Sequence, residues 1–171
     1  MLINIDETIK LLLQARKIIV TAHINPDGDA IGSVLGLVSI LREKGISAAA
    51  VLDDDIPAMF AILPTAAIEK SVDIEQDIDL LVVLDASLDR IGCLREKYSS
   101  VTVLNIDHHR TNDGLAQWLY LDSSRAATAE IIYQIAKRMN LAINKNTAMA
   151  LYLGMATDTG FFRYANTTSF T

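Results

Sequence analysis

Side chains that could bind metal follow three short apolar runs of the sequence. They are His23, Asn25, Asp27 and Asp29 after residues 17–22, Asp85 after residues 80–84, and Asp107, His108 and His109 after residues 101–106. These groups contain all three histidines of the chain, and one more acid, Asp158, follows a helical pattern in the segment TDTG. Carboxylates that are brought together repel and raise one another's pKa unless cations neutralise them. The residue types therefore predict a metal site, provided that the fold brings the groups together.

Each group taken alone has a simpler explanation. The segment NPDG at 25–28 has the composition of a turn, and a single aspartate after a strand, such as Asp85, commonly caps a helix or lies in a loop. The adjacent histidines could be one core and one surface residue, with Asp107 capping a turn. The aspartate run at 53–55 also follows a predicted strand, and we interpret it as a solvated loop without a role. These explanations do not account for three such groups at three strand ends.

The elements that must position these groups predict an α/β fold. Continuous apolar runs that alternate with helical spacing indicate a mostly parallel five-stranded sheet with helices on both faces. The predicted strands are 17–22, 47–52, 80–84, 101–106 and 117–121, and the predicted helices are 5–16, 30–44, 126–139 and 146–156. We expect Asp29 to cap the second helix and Gly45 to end it. Ligands of such sheets bind beyond the carboxyl ends of the strands, so all of the groups should share one rim.

Two glycines inside the predicted helix 30–44 lower its intrinsic stability. Gly32 and Gly36 each cost about 1 kcal/mol relative to alanine. We expect them to permit a close approach of the helix to the sheet, to a ligand or to another helix.

Composition limits the classes of partner. The chain has 171 residues, about half of them hydrophobic, which fits a single domain over residues 1–171. Its formal net charge of −6 argues against a surface that binds long nucleic acid without regard to sequence. The one cysteine cannot form an internal disulfide, and no apolar run approaches the roughly 20 residues that span a bilayer. We expect a cytoplasmic protein without a membrane partner, and the sequence is compatible with a homodimer.

The ligand types point to a particular chemistry. Carboxylate oxygens mixed with imidazole suit Mn²⁺, with Mg²⁺, Co²⁺, Zn²⁺ or Fe²⁺ as alternatives, and clustered cysteines for a structural zinc site are absent. Two divalent ions held about 3.5–4 Å apart can activate water and clamp the oxygens of a phosphoryl group. Phosphoester hydrolysis is therefore the leading prediction.

Four segments give the sequence a family resemblance. HINPDGDAIGS (23–33), VVLDAS (82–87), NIDHHRTN (105–112) and GMATDTGFFRYANTT (154–168) resemble, in order, the motifs of the N-terminal catalytic domain of the DHH phosphoesterases. The resemblance implies the following metal ligands: His23 and Asp27 for one ion, Asp29, His108 and Asp158 for the other, and Asp85 bridging both. It also implies that His109 faces the scissile phosphate as a charge-neutralising group or general acid, and that Asp107 orients a histidine.

Within that family, the segments TDTGFFRYANTT (157–168) and DSSRAATAE (122–130) are most similar to bacterial nanoRNases, which are oligoribonucleases and 3'-phosphoadenosine 5'-phosphate phosphatases. This implies a manganese-dependent hydrolase of short RNA oligonucleotides or of a nucleoside bisphosphate. Arg163 could pair with a substrate phosphate or be an exposed strand arginine. Ser124 could contact substrate, or Ser123 or Ser124 could cap the following helix.

Other functions of the same family stay open at this stage. They are a cyclic dinucleotide phosphodiesterase, an inorganic pyrophosphatase and a single-strand exonuclease. A different class is a catalytically silent binding or scaffold domain, although such a domain should have lost ligands and every expected ligand is present. The resemblance also implies a C-terminal DHH-associated domain that binds substrate and that this chain lacks. We expect a fragment whose substrate cleft is incomplete and whose turnover is weak.

Overall fold

A six-stranded parallel sheet forms the centre of the protein in the computed structural model, which describes residues 1–71 and 77–171. The strand order is β3-β2-β1-β4-β5-β6, and every neighbouring pair is parallel. The strands are β1 (Lys17–Thr21), β2 (Ser47–Leu52), β3 (Ile68–Lys70), β4 (Leu80–Leu84), β5 (Thr102–Asp107) and β6 (Trp118–Leu121). The predicted α/β class and parallel sheet are confirmed.

The predicted strand number is too low by one. The additional strand, β3, lies at the edge of the sheet and, among the residues that the structure describes, pairs only with β2, over three residues. Its sequence is Ile-Glu-Lys, with the glutamate exposed. A strand this short and polar lacks the apolar run by which the other five were identified.

Helices cover the two faces of the sheet unequally. They are α1 (Ile5–Gln14), α2 (Gly28–Glu43), α3 (Leu94–Lys97), α4 (Thr128–Arg138) and α5 (Lys145–Asp158). Side chains of α1, α2, α4 and α5 share one hydrophobic core with alternate strand residues such as Val20 and Val82. The intervening strand residues, such as Ile19 and Val83, face a smaller core that contains Leu94 of α3. Helices therefore lie on both faces, as expected, but the four longer ones lie on the same face.

Close packing of α2 against α5 explains the glycines in α2. A Cβ atom at Gly32 would lie 2.3 Å from the carbonyl oxygen of Ala150, and one at Gly36 would lie 2.5 Å from the Leu151 side chain. Of the reasons considered for these glycines, helix packing is therefore the one that the structure supports. Among the described residues, no helix combines the length and the apolarity needed to cross a bilayer.

Candidate active site

The carboxyl ends of β1, β4 and β5 bring the predicted ligands to one rim of the sheet. Three groups of side chains each have their ligand atoms within 4.8 Å of one another. The groups are His23, Asp27 and Asp85; Asp29, His108 and Asp158; and Asp85, His108 and His109. Because Asp85 and His108 each belong to two groups, the seven residues form one continuous cluster, which we call the carboxylate–histidine cluster.

Asp85 lies between the two histidines of the cluster that face inward. One of its carboxylate oxygens, Oδ2, is 3.8 Å from Nε2 of His23, and the other, Oδ1, is 3.5 Å from Nε2 of His108. The same histidine nitrogens are 3.7 Å from Oδ1 of Asp27 and 3.2 Å from Oδ2 of Asp158, respectively. Ligand atoms at these separations can share an ion with bonds of about 2.0–2.2 Å. The geometry thus has two places for a cation, one on each side of Asp85.

Both inward-facing histidines have the ring orientation that metal ligands need. Nδ1 of His23 is 2.8 Å from the carbonyl oxygen of Ile24, and Nδ1 of His108 is 3.2 Å from that of Arg125. A neutral ring that donates from Nδ1 keeps its lone pair on Nε2. Nε2 of His108 is buried and has no hydrogen-bond partner within the described residues. A buried nitrogen left without a hydrogen bond, directed at carboxylates, fits a metal ligand.

Asp29 holds two helices together at the cluster. It is fully buried, and its carboxylate accepts hydrogen bonds from the backbone N–H groups of Thr128 (2.6 Å) and Ala129 (2.8 Å) and from the Ser33 hydroxyl (3.1 Å). It therefore caps α4, about a hundred residues away in the chain. Gly154 of α5 leaves room for this carboxylate, because a Cβ atom at that position would lie only 2.8 Å from its Oδ1.

The predicted capping of α2 by Asp29 is wrong. The helix begins two residues earlier than expected, at Gly28, and its N-cap is Asp27. Oδ1 of Asp27 accepts hydrogen bonds from the N–H groups of Asp29 and Ala30, both at 3.0 Å. Either aspartate is a good N-cap by residue type. The tertiary hydrogen bonds to α4, which sequence spacing does not report, decide between them.

The backbone at Asp85 is unusual. Its φ is +60°, in the left-handed region that aspartate tolerates better than most residues. Its N–H donates to the Ile106 carbonyl at 3.1 Å, and its Oδ1 accepts a hydrogen bond from the Thr128 hydroxyl at 3.0 Å. Left-handed backbone at residues other than glycine is concentrated at functional sites.

The cluster carries more negative charge than its surroundings can stabilise. Burial, together with the neighbouring Asp29, Asp27 and Asp158, raises the pKa of Asp85 well above its ordinary value. Burial and the charge of Asp158 likewise raise the pKa of Asp29 to about 6. Burial would lower the pKa of His108, but the carboxylates of Asp158 and Asp29 outweigh it and raise that pKa to about 9. These groups therefore hold their protons to higher pH than usual unless cations replace them.

Asp107 orients the outermost histidine. Its Oδ1 lies 2.8 Å from Nδ1 of His109 and accepts the backbone N–H groups of His108 (2.7 Å) and His109 (3.0 Å). The Nδ2 of Asn112 donates to the other oxygen at 2.7 Å. Burial of Asp107 would raise its pKa, but the hydrogen bonds from His109 and Asn112 lower it. Its charge thus fixes the ring of His109, whose side chain is about 45% exposed.

Ser124 and Arg163 have local structural partners. The Ser124 hydroxyl donates to Oδ1 of Asp122 at 2.6 Å, and neither Ser123 nor Ser124 caps α4, whose N-cap is Ala127. Arg163 lies in a turn, so its interpretation as a strand arginine is wrong. Its Nε donates to the carbonyl oxygen of Gly160 at 2.9 Å, which closes the turn after α5.

Three supporting residues escaped the sequence analysis. Thr128 contacts two candidate ligands, Asn166 donates to the carbonyl oxygens of Asp158 and Ala126, and Asp54 accepts the N–H of Asn25. Thr128 and Asn166 lie inside the segments singled out for their family resemblance. That resemblance was a usable signal for these two residues, whereas nothing in the aspartate run distinguishes Asp54.

Comparison with known proteins gives a consistent result. The profile described as "DHH family, N-terminal domain" matches residues 17–155. The bifunctional oligoribonuclease and PAP phosphatase NrnA of Thermus thermophilus is 36% identical over 155 residues, covering 88% of this chain and 46% of the relative. The protein of the same name from Bacillus subtilis is 31% identical over 171 residues, covering 95% and 52%. The chain thus spans about half the length of these curated relatives.

Solved structures show the same architecture. An exopolyphosphatase-related protein from Bacteroides fragilis superposes with a TM-score of 0.87 at 28% identity, covering 96% of this chain and 52% of that one. A putative family II inorganic pyrophosphatase from Methanococcus jannaschii has a TM-score of 0.69 at 18% identity, covering 90% and 52%. The second similarity bears on the fold alone.

Proposed function

The chain belongs to the DHH family, through that family's N-terminal domain, and from this premise we propose that it is a metal-dependent phosphoesterase. Its proposed substrates are short oligoribonucleotides and 3'-phosphoadenosine 5'-phosphate. The names of the relatives from Thermus thermophilus and Bacillus subtilis support this choice of substrate class. The presence of the complete carboxylate–histidine cluster favours an enzyme over a silent scaffold domain.

The observation that carries the proposal is the position of Asp85 between two ligand groups. His23 and Asp27 would hold one ion, Asp29, His108 and Asp158 the other, and Asp85 would contact both. We propose Mn²⁺ as the ion, with Mg²⁺ or Co²⁺ as alternatives, because these ions accept mixed oxygen and imidazole ligands. Two such ions, when bound, would supply Lewis acidity and an activated water for displacement at phosphorus.

The residues of this chain would contribute positioning and proton transfer. His109 has its Nδ1 held by Asp107, which leaves Nε2 for a phosphoryl oxygen or the departing oxygen. Its partly exposed ring is accessible to a substrate that reaches the cluster from solvent. The Thr128 hydroxyl holds the carboxylate of Asp85 in place, and the N–H groups at the start of α4 hold that of Asp29. Arg163 and Ser124 stay as proposed substrate contacts.

Hydrolysis of 5'-phosphorylated diadenylate and of 3'-phosphoadenosine 5'-phosphate, followed by chromatography, tests the proposal. We expect mononucleotide and inorganic phosphate to appear with Mn²⁺ and not with a chelator. Calorimetry should give close to two equivalents of Mn²⁺ per chain.

Asp85→Ala should abolish the hydrolysis and reduce the metal binding. Asp55→Ala is the matched control, because Asp55 is exposed and pairs only with Lys70 among the described residues. No turnover with Mn²⁺, Mg²⁺ or Co²⁺, or turnover that persists in Asp85→Ala, would contradict the proposed function.

A further inference from the structure

A cleft of about 260 Å³ adjoins the carboxylate–histidine cluster at His109. Its polar lining includes His109, Arg90 and Thr111, together with the acids Asp89, Asp107 and Asp113. The volume lies below the roughly 300 Å³ at which small-molecule pockets usually begin. The cleft therefore suits a phosphoryl group with its sugar rather than a whole dinucleotide.

Arg90 presents a guanidinium without a direct partner at this cleft, within the described residues. Its guanidinium makes no hydrogen bond or ion pair with any residue in the described part of the chain, although Asp89 and Asp113 line the same cleft. Asp113 is instead part of a local turn, in which its carboxylate accepts the N–H of Leu115. An arginine that leaves nearby acids unpaired is available for an external anion.

The backbone fixes Arg90 next to the segment that carries His23. The carbonyl oxygen of Arg90 accepts the N–H of Ile24 at 2.8 Å, so the short 3₁₀ turn Leu88–Arg90 is attached to the residue after His23. Arg90 and His109 line the same cleft, so the turn that carries Arg90 borders the cluster.

We propose that Arg90 is a specificity-determining residue that binds a phosphate group of the substrate in the cleft beside His109. A guanidinium pairs with two phosphate oxygens at once, which positions the group as well as attracting it. Thr111, which also lines the cleft, carries a hydroxyl that would be a further donor. This inference rests on the proposed function, because it takes a nucleotide phosphate as the ligand, and it assigns the binding of that phosphate to a residue outside the candidate metal ligands.

Binding and turnover must be measured separately to test this role. The binding probe is 5'-phosphorylated diadenylate whose bridging 3'-oxygen is replaced by methylene, titrated calorimetrically in the presence of Mn²⁺. Arg90→Met should weaken binding about tenfold or more, and should raise KM for diadenylate by a similar factor while kcat stays within about threefold. The affinity and KM of Arg90→Lys should lie between those of wild type and Arg90→Met, because lysine keeps the charge but not the bidentate geometry.

The matched control is Arg95→Met, which makes the same charge change on α3, and Arg95 does not line this cleft. It should leave the affinity for the probe within twofold. Equal affinity of wild type and Arg90→Met, or no binding by wild type, would overturn the inference. If the probe binds in an Arg90-dependent way but wild type does not hydrolyse diadenylate, the phosphate site is upheld and the proposed function is overturned instead. An unchanged Mn²⁺-induced rise in Tm establishes that Arg90→Met is folded.

Discussion

Two groups of side chains near the carboxyl ends of the strands contain aspartates whose pKa values shift in opposite directions. In the group that we call the Asp53 cluster, Asp53 accepts hydrogen bonds from the Ser71 hydroxyl and from the N–H and thiol of Cys93, the last two at 3.0 Å. Burial would raise the pKa of Asp53, but these donors lower it. The Asp53 cluster therefore stabilises its negative charge with its own hydrogen bonds.

In the carboxylate–histidine cluster, the hydrogen bonding of Asp85 does not outweigh its burial and its acidic neighbours. Within the described residues its side chain accepts one hydrogen bond, from Thr128, while Asp29, Asp27 and Asp158 raise its pKa. The two aspartates thus differ in their neighbours rather than in their type. A carboxylate surrounded by donors serves structure, whereas one surrounded by other carboxylates requires cations or protons.

The largest expected effect follows from replacing Asp85 with asparagine, a residue that also tolerates left-handed backbone. Under the proposed function, turnover should fall by more than the roughly 10–100-fold typical of losing a partner of a metal ligand. The Tm of the metal-free protein at pH 8 should stay the same or rise, because a neutral amide is not repelled by the other acids. Thermal unfolding with a chelator measures this, and a clear fall in that Tm would contradict the view that Asp85 is electrostatically unfavourable.

A smaller effect is expected for Thr128→Val, which removes the hydroxyl but preserves the shape of the side chain. Losing the hydrogen bond to Asp85 should weaken Mn²⁺ binding about 10–100-fold, as for other residues that orient metal ligands. Calorimetry measures the affinity. Thr128→Ser keeps the hydroxyl and should restore the Mn²⁺ affinity. Equal losses of affinity in both variants would show that Thr128 acts through packing alone.

Asp53→Asn should affect stability and not metal binding. Removing a charged acceptor leaves the Cys93 and Ser71 donors poorly paired, which costs about 1–3 kcal/mol of unfolding free energy. Denaturant unfolding measures the loss, while the affinity for Mn²⁺ should stay within twofold. Asp55→Asn is the control, because its ion pair with Lys70 is exposed to solvent and adds little to stability. A large change in metal affinity in Asp53→Asn would remove the distinction between the two clusters.

The sequence predicted the carboxylate–histidine cluster better than the Asp53 cluster, for a physical reason. Ligands at the ends of parallel strands converge through topology, which apolar runs reveal, so His23, Asp85 and His108 could be grouped before the structure was known. The Asp53 cluster depends on tertiary contacts from Ser71, which follows the short edge strand β3, and from Cys93, which lies in a turn. A Cβ atom at Gly92, whose φ is +64°, would lie 1.8 Å from Oδ2 of Asp53. No sequence pattern links that glycine to that aspartate.

The same limit explains the errors at the helix starts. Propensity allows Asp27 or Asp29 to cap α2, and Ser123 or Ser124 to cap α4. The structure chooses Asp27 for α2 because Asp29 is already occupied by the N–H groups of Thr128 and Ala129. Asp29 does act as a helix cap, but for a helix about a hundred residues away in the chain, and local sequence does not reveal that contact.

The smallest expected effect is a pH dependence of stability that differs between the clusters. The pKa of Asp29 is raised to about 6, so its stabilising contribution is complete below its unfolded value near 3.8 and is lost as pH rises through 6. The pKa of His108 is raised to about 9, so its contribution is complete below 6.5 and is lost as pH rises through 9. The pKa of Asp53 is lowered, so its contribution to stability has the opposite pH dependence and is lost only as pH falls below 4. The metal-free Tm should therefore decline from pH 5 to 9, at about 2–4 °C per kcal/mol.

Divalent ions should reverse that decline, because they replace the protons that Asp29 and His108 release. The rise in Tm produced by excess Mg²⁺ should therefore grow with pH over the same range, as measured by thermal scans at matched ionic strength. Asp29→Asn should flatten the metal-free decline near pH 6, and Asp53→Asn should leave its slope unchanged. A metal-free Tm that increases from pH 5 to 9 would mean that the carboxylates of the two clusters are stabilised in the same way.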